Sequence, residues 1–189
     1  MHPKDHYKNY LADDTISPLS EKLIERILLY KPTHALDFGG GSGKHSNMLE
    51  KLAVSSCSLD LSFNNISKAH FTHDLPLLIK GDETHLRHLA NFDVVFTCSV
   101  LDHIEDVANI IGELQRIANK AVILAETNSL NGNFYYRHIY EMFGFDKIDF
   151  EWESDSDGAI YQIWEWRKGE LTKPYHHEIG NSFVTDDLA

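Results

Sequence analysis

Four glycines stand close together in the sequence, at positions 39, 40, 41 and 43, directly after Asp37-Phe38. Glycine adopts positive φ angles easily and lets a ligand come close to the backbone. The apolar residues that follow recur at helical spacing, so the glycines precede a helix N-terminus, where backbone N–H groups attract polar groups. A plain turn between a strand and a helix needs only one or two glycines. The cluster therefore predicts a ligand site, with a plain tight turn as the alternative.

The spacing of these glycines disagrees with two common nucleotide-binding motifs. Started at Gly39, the dinucleotide motif Gly-x-Gly-x-x-Gly requires a glycine where Lys44 stands, and started at Gly41 it fails in the same way. The phosphate-binding loop requires Ser or Thr directly after Gly43-Lys44, where the sequence has His45. We therefore expect neither NAD nor ATP at this site.

Three further polar positions follow predicted strands. Asp60 ends the second predicted strand, and a carboxylate at that point can accept both hydroxyls of a ribose; capping of the next helix is the alternative. Asp82 stands in Gly81-Asp82-Glu83, which alone would be a turn. His103 follows the fourth predicted strand and has Asp102 beside it, so it is a candidate general base, with a structural role as the alternative.

The elements that position these residues alternate along the chain. Ser17 and Pro18 suit the start of a helix that ends before Pro32. Predicted strands at 35–38, 56–60, 77–79, 92–97 and 121–125 are separated by helical segments at 44–52, 64–69 and 107–117, followed by one at 133–143. Two consecutive strands at 147–152 and 159–166, joined by the polar turn 154–158, predict an antiparallel hairpin. Alternating strands and helices predict a mostly parallel sheet covered by helices on both faces.

Composition and charge narrow the classes of protein. The 189 residues are 42% hydrophobic and 24% charged, as in an ordinary globular domain without a membrane span. The 29 acidic and 17 basic residues give a net charge of -12, which disfavours binding to DNA or RNA in general. The first fifteen residues fit neither a signal peptide nor a transit peptide, and two cysteines suit a reducing compartment, so we expect a cytoplasmic protein.

The glycine segment Asp37-Phe38-Gly39-Gly40-Gly41-Ser42-Gly43 resembles the acidic-x-Gly-x-Gly-x-Gly motif of class I S-adenosylmethionine-dependent methyltransferases. Asp60, the Gly81-Asp82 pair and the segment 92–104 follow in the family's order, and the resemblance extends over residues 17–168. It is nearest to small-molecule enzymes of the quinone-biosynthesis type. The resemblance implies a Rossmann-like α/β fold: a seven-stranded, mostly parallel sheet with helices on both faces and a C-terminal antiparallel hairpin. Residues 1–16 would then be an N-terminal arm and 169–189 a tail.

The resemblance also implies how S-adenosylmethionine would be held. Asp37 would face the methionine amino group through water or a backbone turn, and glycines would leave room for the cofactor. Acidic residues after the second and third strands would hold ribose and adenine, and the end of the fourth strand would line the cleft. The cofactor residues expected on this basis are Asp37, Gly39, Gly41, Gly43, Asp60, Leu61, Asp82, Glu83 and Cys98. Cys98 could equally be a packing residue.

The sequence says less about the residues that would bind the methyl acceptor. His103 and His138 are the candidate catalytic bases, and Asn128, Tyr135 and Tyr136 follow the fifth strand, where they could face the acceptor. An amphipathic helix packed on the sheet is the alternative reading of 135–138. Tyr7 and Tyr10 belong to the N-terminal arm, which we expect to fold over the cofactor and acceptor as a lid. The candidate substrate residues are thus Tyr7, Tyr10, Asn128, Tyr135 and Tyr136.

No metal site is expected. Pairs of histidines three apart, such as His70 and His73, lack a third ligand in a zinc pattern, and Glu126 after the fifth strand lacks a full metal set. The Asn/Asp-Pro-Pro-Tyr/Phe motif of many nucleic-acid and protein amide methyltransferases is absent after the fourth strand. We therefore expect methyl transfer to a small molecule, with oxygen favoured over nitrogen. The alternatives are a noncatalytic cofactor-binding subunit that supports a protein partner, and a protein or RNA methyltransferase.

Overall fold

The computed structural model describes residues 11–127, 139–155 and 158–170. Within these residues there are seven strands and four α-helices, and the strands follow the order that the sequence predicts. The strands are β1 (His34–Phe38), β2 (Ser55–Asp60), β3 (Leu77–Lys80), β4 (Phe92–Cys98), β5 (Ala118–Thr127), β6 (Asp146–Glu153) and β7 (Ile160–Arg167). The helices are α1 (Pro18–Leu29), α2 (Lys44–Lys51), α3 (Phe63–His73) and α4 (Ala108–Ile117), with short 3-10 helices at Glu83–His88, Leu101–His103 and Tyr140–Phe143.

All seven strands form one sheet in the order β3-β2-β1-β4-β5-β7-β6. The first five strands pair in parallel, and β7 pairs antiparallel with both β5 and β6. The order reverses between β1 and β4, because the chain first builds outward to β3 and then crosses back. Ligands bind at such a reversal, outside the carboxyl ends of the strands. The predicted parallel sheet with an antiparallel C-terminal hairpin is confirmed.

Alternation along the central strands creates two cores. On β4, Val94 and Phe96 pack with α1 and Leu49, whereas Val95 packs on the opposite face with α4. On β5, Val122 and Leu124 face α4, and their neighbours in the sequence face α1. A strand buried on both faces reads as a continuous apolar run, which is why 121–125 carries no polar residue.

Local signals set where the helices begin. The side chain of Ser17 accepts a hydrogen bond from the Ser20 backbone at the start of α1, and Pro18 occupies the first turn, where its missing N–H costs nothing. Of the helix expected at 133–143, the described residues include only the 3-10 turn Tyr140–Phe143. In the part of the chain that the structure describes, no helix has the length and apolar composition needed to cross a bilayer.

A buried ion pair fastens α1 to β7. Glu165 is 1% exposed, and Arg26 donates to its two carboxylate oxygens from Nε and Nη2, each at 2.6 Å. Tyr30 donates to the same carboxylate at 3.3 Å, and Arg167 donates at 3.2 Å. The interaction holds the C-terminal hairpin strand against the helix that precedes β1.

Removing Arg26 should therefore destabilise the whole fold. We expect Arg26→Ala to lower the free energy of unfolding by about 2–3 kcal/mol, less than a fully broken buried pair costs, because Arg167 still neutralises Glu165. Urea denaturation measures the change. Lys22→Ala is the matched control, since Lys22 pairs with Glu25 on the exposed side of the same helix, and its loss should cost less than about 1 kcal/mol. Equal decreases in the free energy of unfolding for the two variants would contradict the stabilising role assigned to the Arg26–Glu165 ion pair.

Candidate functional site

A cavity of about 890 Å³ lies at the carboxyl ends of β1 to β4, at the reversal of strand order. Its walls come from the turn after each of these strands, from the segment before α1 and from the C-terminal hairpin. The lining includes Gly39, Gly40, Gly41, Asp60, Leu61, Gly81, Asp82, Glu83, Cys98, Ser99, Val100, His103, Ile104, Trp152 and Tyr161. Parallel strands thus bring together residues that are more than 40 positions apart in the sequence.

The glycine turn forms the floor of the cavity. Gly39 and Gly41 have φ angles of 73° and 57°, and Gly39 N–H donates to the Leu59 carbonyl at 2.8 Å, which ties the turn to β2. A Cβ atom on Gly39 would lie 2.4 Å from a methyl group of Val100. Gly43 does not line the cavity; it caps α2 with φ 81°, and a Cβ there would lie 2.5 Å from Leu75. The turn therefore needs glycine both for its backbone and for the space beside it.

Asp60 stands at the end of β2 and faces the glycine turn. It is 8% exposed, and its carboxylate accepts hydrogen bonds from Gly41 N–H at 2.8 Å, Ser62 N–H at 2.7 Å and the Asn65 amide at 3.2 Å. A carboxylate offers about four acceptor positions, so these donors leave room for one further strong hydrogen bond unless the turn shifts. Asp60 thus holds the glycine turn in place and also borders the cavity.

Asp82 follows β3 and borders the same cavity together with Glu83. Asp82 caps the 3-10 helix that starts there: its Oδ1 accepts from Thr84 N–H at 3.0 Å and from the Thr84 hydroxyl at 2.6 Å. Asp60 and Asp82 thus border the same cavity, and their roles toward ribose and adenine stay predictions.

Burial raises the pKa values of two of the expected cofactor residues, Asp37 and Cys98. Asp37 lies behind the glycine turn rather than on the cavity wall, and burial raises the pKa of its carboxyl to about 7 although Ser46 donates a hydrogen bond to it. Any contact between Asp37 and a ligand would pass through the turn. Burial also raises the pKa of Cys98 to about 12, so this thiol stays protonated and contributes surface to the cavity rather than a nucleophile.

The segment before α1 covers one side of the cavity. Ala12 N–H donates to the Asn65 side chain at 2.8 Å, and Lys68 forms an ion pair with Asp14 at 2.6 Å. Ser42 of the glycine turn donates a hydrogen bond to the same Asp14 carboxylate. These contacts hold Ala12 and Asp14 against the glycine turn and α3, and a lid role of the N-terminal arm stays a prediction.

The far end of the cavity carries residues that the sequence did not indicate. Trp152 of β6 and Tyr161 of β7 lie side by side, with ring centroids 5.6 Å apart. Ser99, a non-glycine residue with φ 57°, follows β4, and its hydroxyl lies 3.4 Å from the Tyr161 hydroxyl. His103 also lines the cavity. Only the pairing register of the hairpin aligns Trp152 with Tyr161, and sequence spacing does not reveal that register.

Six expected site residues lie outside the described residues, so their positions stay predictions. They are Tyr7, Tyr10, Asn128, Tyr135, Tyr136 and His138. Within residues 11–127, 139–155 and 158–170, no group of three or more His, Cys, Asp or Glu side chains is arranged to hold a metal ion.

The residues around the cavity fit the cofactor that the resemblance implies. Gly39 and Gly41 line the cavity, and a Cβ there would lie 2.4 Å from Val100 and 2.9 Å from Ala12, two other lining residues. A buried carboxylate at the end of β2 and a second acid at the end of β3 supply acceptors for sugar hydroxyls and an amino group. His103, Trp152 and Tyr161 also line the cavity, outside the glycine turn and the two acidic turns.

Residues 36–125, which run from β1 to β5, match a family model described as a methyltransferase domain. No curated protein matches the sequence significantly. The matched range contains the glycine turn, both acidic turns and the loop after β4.

Solved structures share the fold. An N-methyltransferase, NodS, from Bradyrhizobium japonicum WM9, in complex with S-adenosyl-L-homocysteine, has a TM-score of 0.68 at 11% identity, covering 90% of this chain and 100% of that one. Magnesium protoporphyrin IX methyltransferase from Synechocystis PCC 6803, with bound S-adenosylmethionine, has a TM-score of 0.62 at 15% identity, covering 82% and 86%. Ribosomal protein L11 methylase from Lactobacillus delbrueckii subsp. bulgaricus has a TM-score of 0.56 at 20% identity, covering 79% and 77%. At such identities the likenesses establish the fold alone.

Proposed function

We infer that the chain belongs to the class I S-adenosylmethionine-dependent methyltransferases, and we propose that it transfers a methyl group from that cofactor to a small-molecule acceptor. The observation that carries the proposal is the glycine-floored cavity at the carboxyl ends of β1 and β2, bordered by the buried carboxylate of Asp60. The matched methyltransferase domain and the solved structures with bound cofactor or its demethylated product support the same assignment.

The cofactor would lie along the ends of four strands. We propose that Asp60 and the adjacent Leu61 bind the ribose, Asp82 and Glu83 the adenine, and the turn Gly39–Gly41 the methionine portion. When bound, S-adenosylmethionine supplies an electrophilic methyl group, and the bonding electrons of the broken C–S bond stay on sulfur. The protein's main contribution is then to place the acceptor in line with that bond. The segment 12–16 covers the glycine turn and would help to exclude water.

The acceptor would lie beside Trp152 and Tyr161, which line the cavity, and within reach of His103, which lines it too. The paired aromatic rings favour a flat or apolar acceptor. We propose that His103 takes up the proton that a hydroxyl acceptor loses, because an imidazole titrates near neutrality and this one lies on the cavity wall. An alcohol or phenol needs such a base more than an amine does, so oxygen is favoured over nitrogen.

Transfer of radioactive methyl from labelled S-adenosylmethionine tests the proposal. The purified protein is incubated with panels of phenols, alcohols and amines, and extractable labelled product is measured. We expect label in at least one phenol or alcohol, and we expect Trp152→Ala to reduce transfer more than it reduces cofactor affinity. Phe71→Ala is the matched control, because Phe71 is 84% exposed on α3 and lies outside the cavity. Binding without transfer to any small molecule would contradict the enzymatic proposal.

A noncatalytic cofactor-binding subunit is the main alternative, and methylation of a protein or RNA is the third. Cofactor binding together with a stable protein partner in a pull-down would favour the subunit. Label in protein or RNA from a cell extract would favour a macromolecular acceptor, although the net charge of -12 opposes RNA binding. We also propose a cytoplasmic location, because the free thiols of Cys57 and Cys98 suit a reducing compartment.

A further inference from the structure

The walls of the cavity carry one lysine among several acids. Among the described residues that line the cavity, Lys44 is the only lysine or arginine. The acidic residues on the same walls are Asp13, Asp60, Asp82, Glu83 and Asp155. Burial lowers the pKa of His45, another lining residue, to about 3, so this imidazole stays neutral. Lys44 is therefore the one permanent positive charge on the described walls, and the roles assigned above do not use it.

Lys44 is the first residue of α2 and follows the glycine turn directly. Its Nζ donates to the Thr15 carbonyl at 3.0 Å, and the described residues give it no other hydrogen bond and no ion pair. An ammonium group has three donors, so these contacts leave two of them for a ligand. Asp13 is exposed and accepts from the Thr15 N–H at 3.2 Å rather than from Lys44. Within the part of the chain that the structure describes, the charge of Lys44 thus has no carboxylate partner.

The glycine turn itself has few donors left for an anion. The N–H groups of all four glycines already donate to acceptors within the protein. These acceptors are the Leu59 carbonyl for Gly39 and Gly40, at 2.8 and 3.2 Å, the Asp60 carboxylate for Gly41, at 2.8 Å, and the Gly40 carbonyl for Gly43, at 2.9 Å. A negatively charged group beside the turn would therefore depend on the ammonium group of Lys44.

S-adenosylmethionine and S-adenosyl-L-homocysteine each carry one ammonium and one carboxylate group on their amino-acid portion. The acidic walls can accept hydrogen bonds from the ammonium, but they repel the carboxylate. A carboxylate that leaves water needs a positive partner or strong donors. Lys44 can supply both from the end of the turn.

We propose that Lys44 binds the carboxylate of the amino-acid portion and makes the cavity selective for adenosyl ligands that carry this group. The inference rests on the proposed function, because it takes the methionine portion to lie along the turn Gly39–Gly41.

Two ligands that differ only by this carboxylate test the inference in binding, without turnover. S-adenosyl-L-homocysteine carries the carboxylate, and its decarboxylated analogue, S-adenosyl-3-thiopropylamine, keeps the adenosine, the sulfur and the ammonium. Calorimetric titration of the full chain gives the ratio of the two dissociation constants. For the unaltered protein we expect the analogue to bind at least about tenfold more weakly, because it lacks a charge-assisted hydrogen bond.

In Lys44→Met this ratio should fall to less than about threefold, because the carboxylate loses its partner. Lys44→Arg keeps the charge and should keep most of the preference. Loss of the contact with Thr15 affects both ligands alike and therefore cancels in the ratio. Lys51→Met is the matched control, since it makes the same substitution at the exposed end of the same helix, outside the cavity. Its ratio should equal that of the unaltered protein.

An unchanged ratio in Lys44→Met, or an equal fall in Lys51→Met, would overturn the inference. Equal affinities of the unaltered protein for the two ligands would overturn it as well. In each of these cases the unaltered protein still binds S-adenosyl-L-homocysteine, so the cofactor assignment stands. Absence of binding of either ligand to the unaltered protein would instead contradict the proposed function, and the role of Lys44 with it.

Discussion

Asp60→Ala should bind S-adenosylmethionine at least tenfold more weakly than the unaltered protein. The carboxylate borders the cavity and accepts three hydrogen bonds from the protein, one of them from Gly41 in the glycine turn. A hydrogen bond from a ribose hydroxyl to a carboxylate is worth about 1.5–3 kcal/mol, and each 1.4 kcal/mol is about tenfold in affinity. Loosening of the turn adds to that loss. Isothermal titration calorimetry measures the affinity at a temperature where both proteins are folded.

Two further variants separate binding from folding. Asp60→Asn keeps the size of the side chain and one acceptor oxygen, so its loss of affinity should lie between those of the unaltered protein and Asp60→Ala. Asp74→Asn removes a carboxylate from an exposed position with φ 52°, a conformation that Asn tolerates, and should leave affinity unchanged. An Asp60→Ala protein with normal affinity and a lowered melting temperature would limit Asp60 to holding the turn.

Gly39→Ala should abolish measurable cofactor binding, a loss of at least about 100-fold, or roughly 2.7 kcal/mol. The φ angle of 73° costs an alanine about 1–2 kcal/mol, and its Cβ would lie 2.4 Å from Val100. The backbone of Val100 is held by its N–H, which donates to Glu126, and the Cβ of Val100 would itself lie 3.2 Å from the added methyl. Rotation of the valine side chain therefore cannot relieve the whole clash, and the turn must shift. The free energy of unfolding, measured by urea denaturation, should also fall by about 2–4 kcal/mol.

Gly112→Ala is the control for this substitution. Gly112 lies in the exposed part of α4, and no atom stands within 4 Å of a Cβ built there. Alanine favours helix more than glycine does, so stability should rise by up to about 1 kcal/mol and binding should not change. Normal affinity in Gly39→Ala would show that the glycine turn is not part of the ligand site.

The fold was predictable because its signals are local. Predicted strands of three to six residues alternate with segments of helical periodicity, and this alternation favours parallel strands with crossover connections. The start of β5 was the main deviation, since the strand begins at Ala118 rather than 121. Asn119 and Lys120 interrupt the apolar run, but Ala118 still pairs with Phe92 across the sheet. Pairing with a neighbouring strand extended the element beyond what the composition indicates.

The place of the expected cofactor residues at one edge of the sheet was predictable for a different reason. These residues follow directly after strands, and parallel topology carries every such turn to one edge of the sheet. The arrangement of the residues proposed for the acceptor side depends instead on the pairing register of the strands and on how deeply each side chain is buried. Trp152 meets Tyr161 only through the pairing of β6 with β7, and the sequence shows Glu126 as a carboxylate without showing the three donors around it. The place of Asp37 behind the glycine turn could not be predicted either, because it follows from the packing of the fold rather than from the spacing of residues in the sequence.

Calorimetric titration of the unaltered protein with S-adenosylmethionine, and separately with S-adenosyl-L-homocysteine, tests the cofactor site most directly. We expect one equivalent of each to bind, with a dissociation constant in the range of roughly 1 µM to 1 mM that is usual for enzyme substrates. NAD and ATP should produce no binding heat at the same concentrations. Binding of NAD or ATP with no response to either adenosyl ligand would contradict the assignment of the glycine-floored cavity.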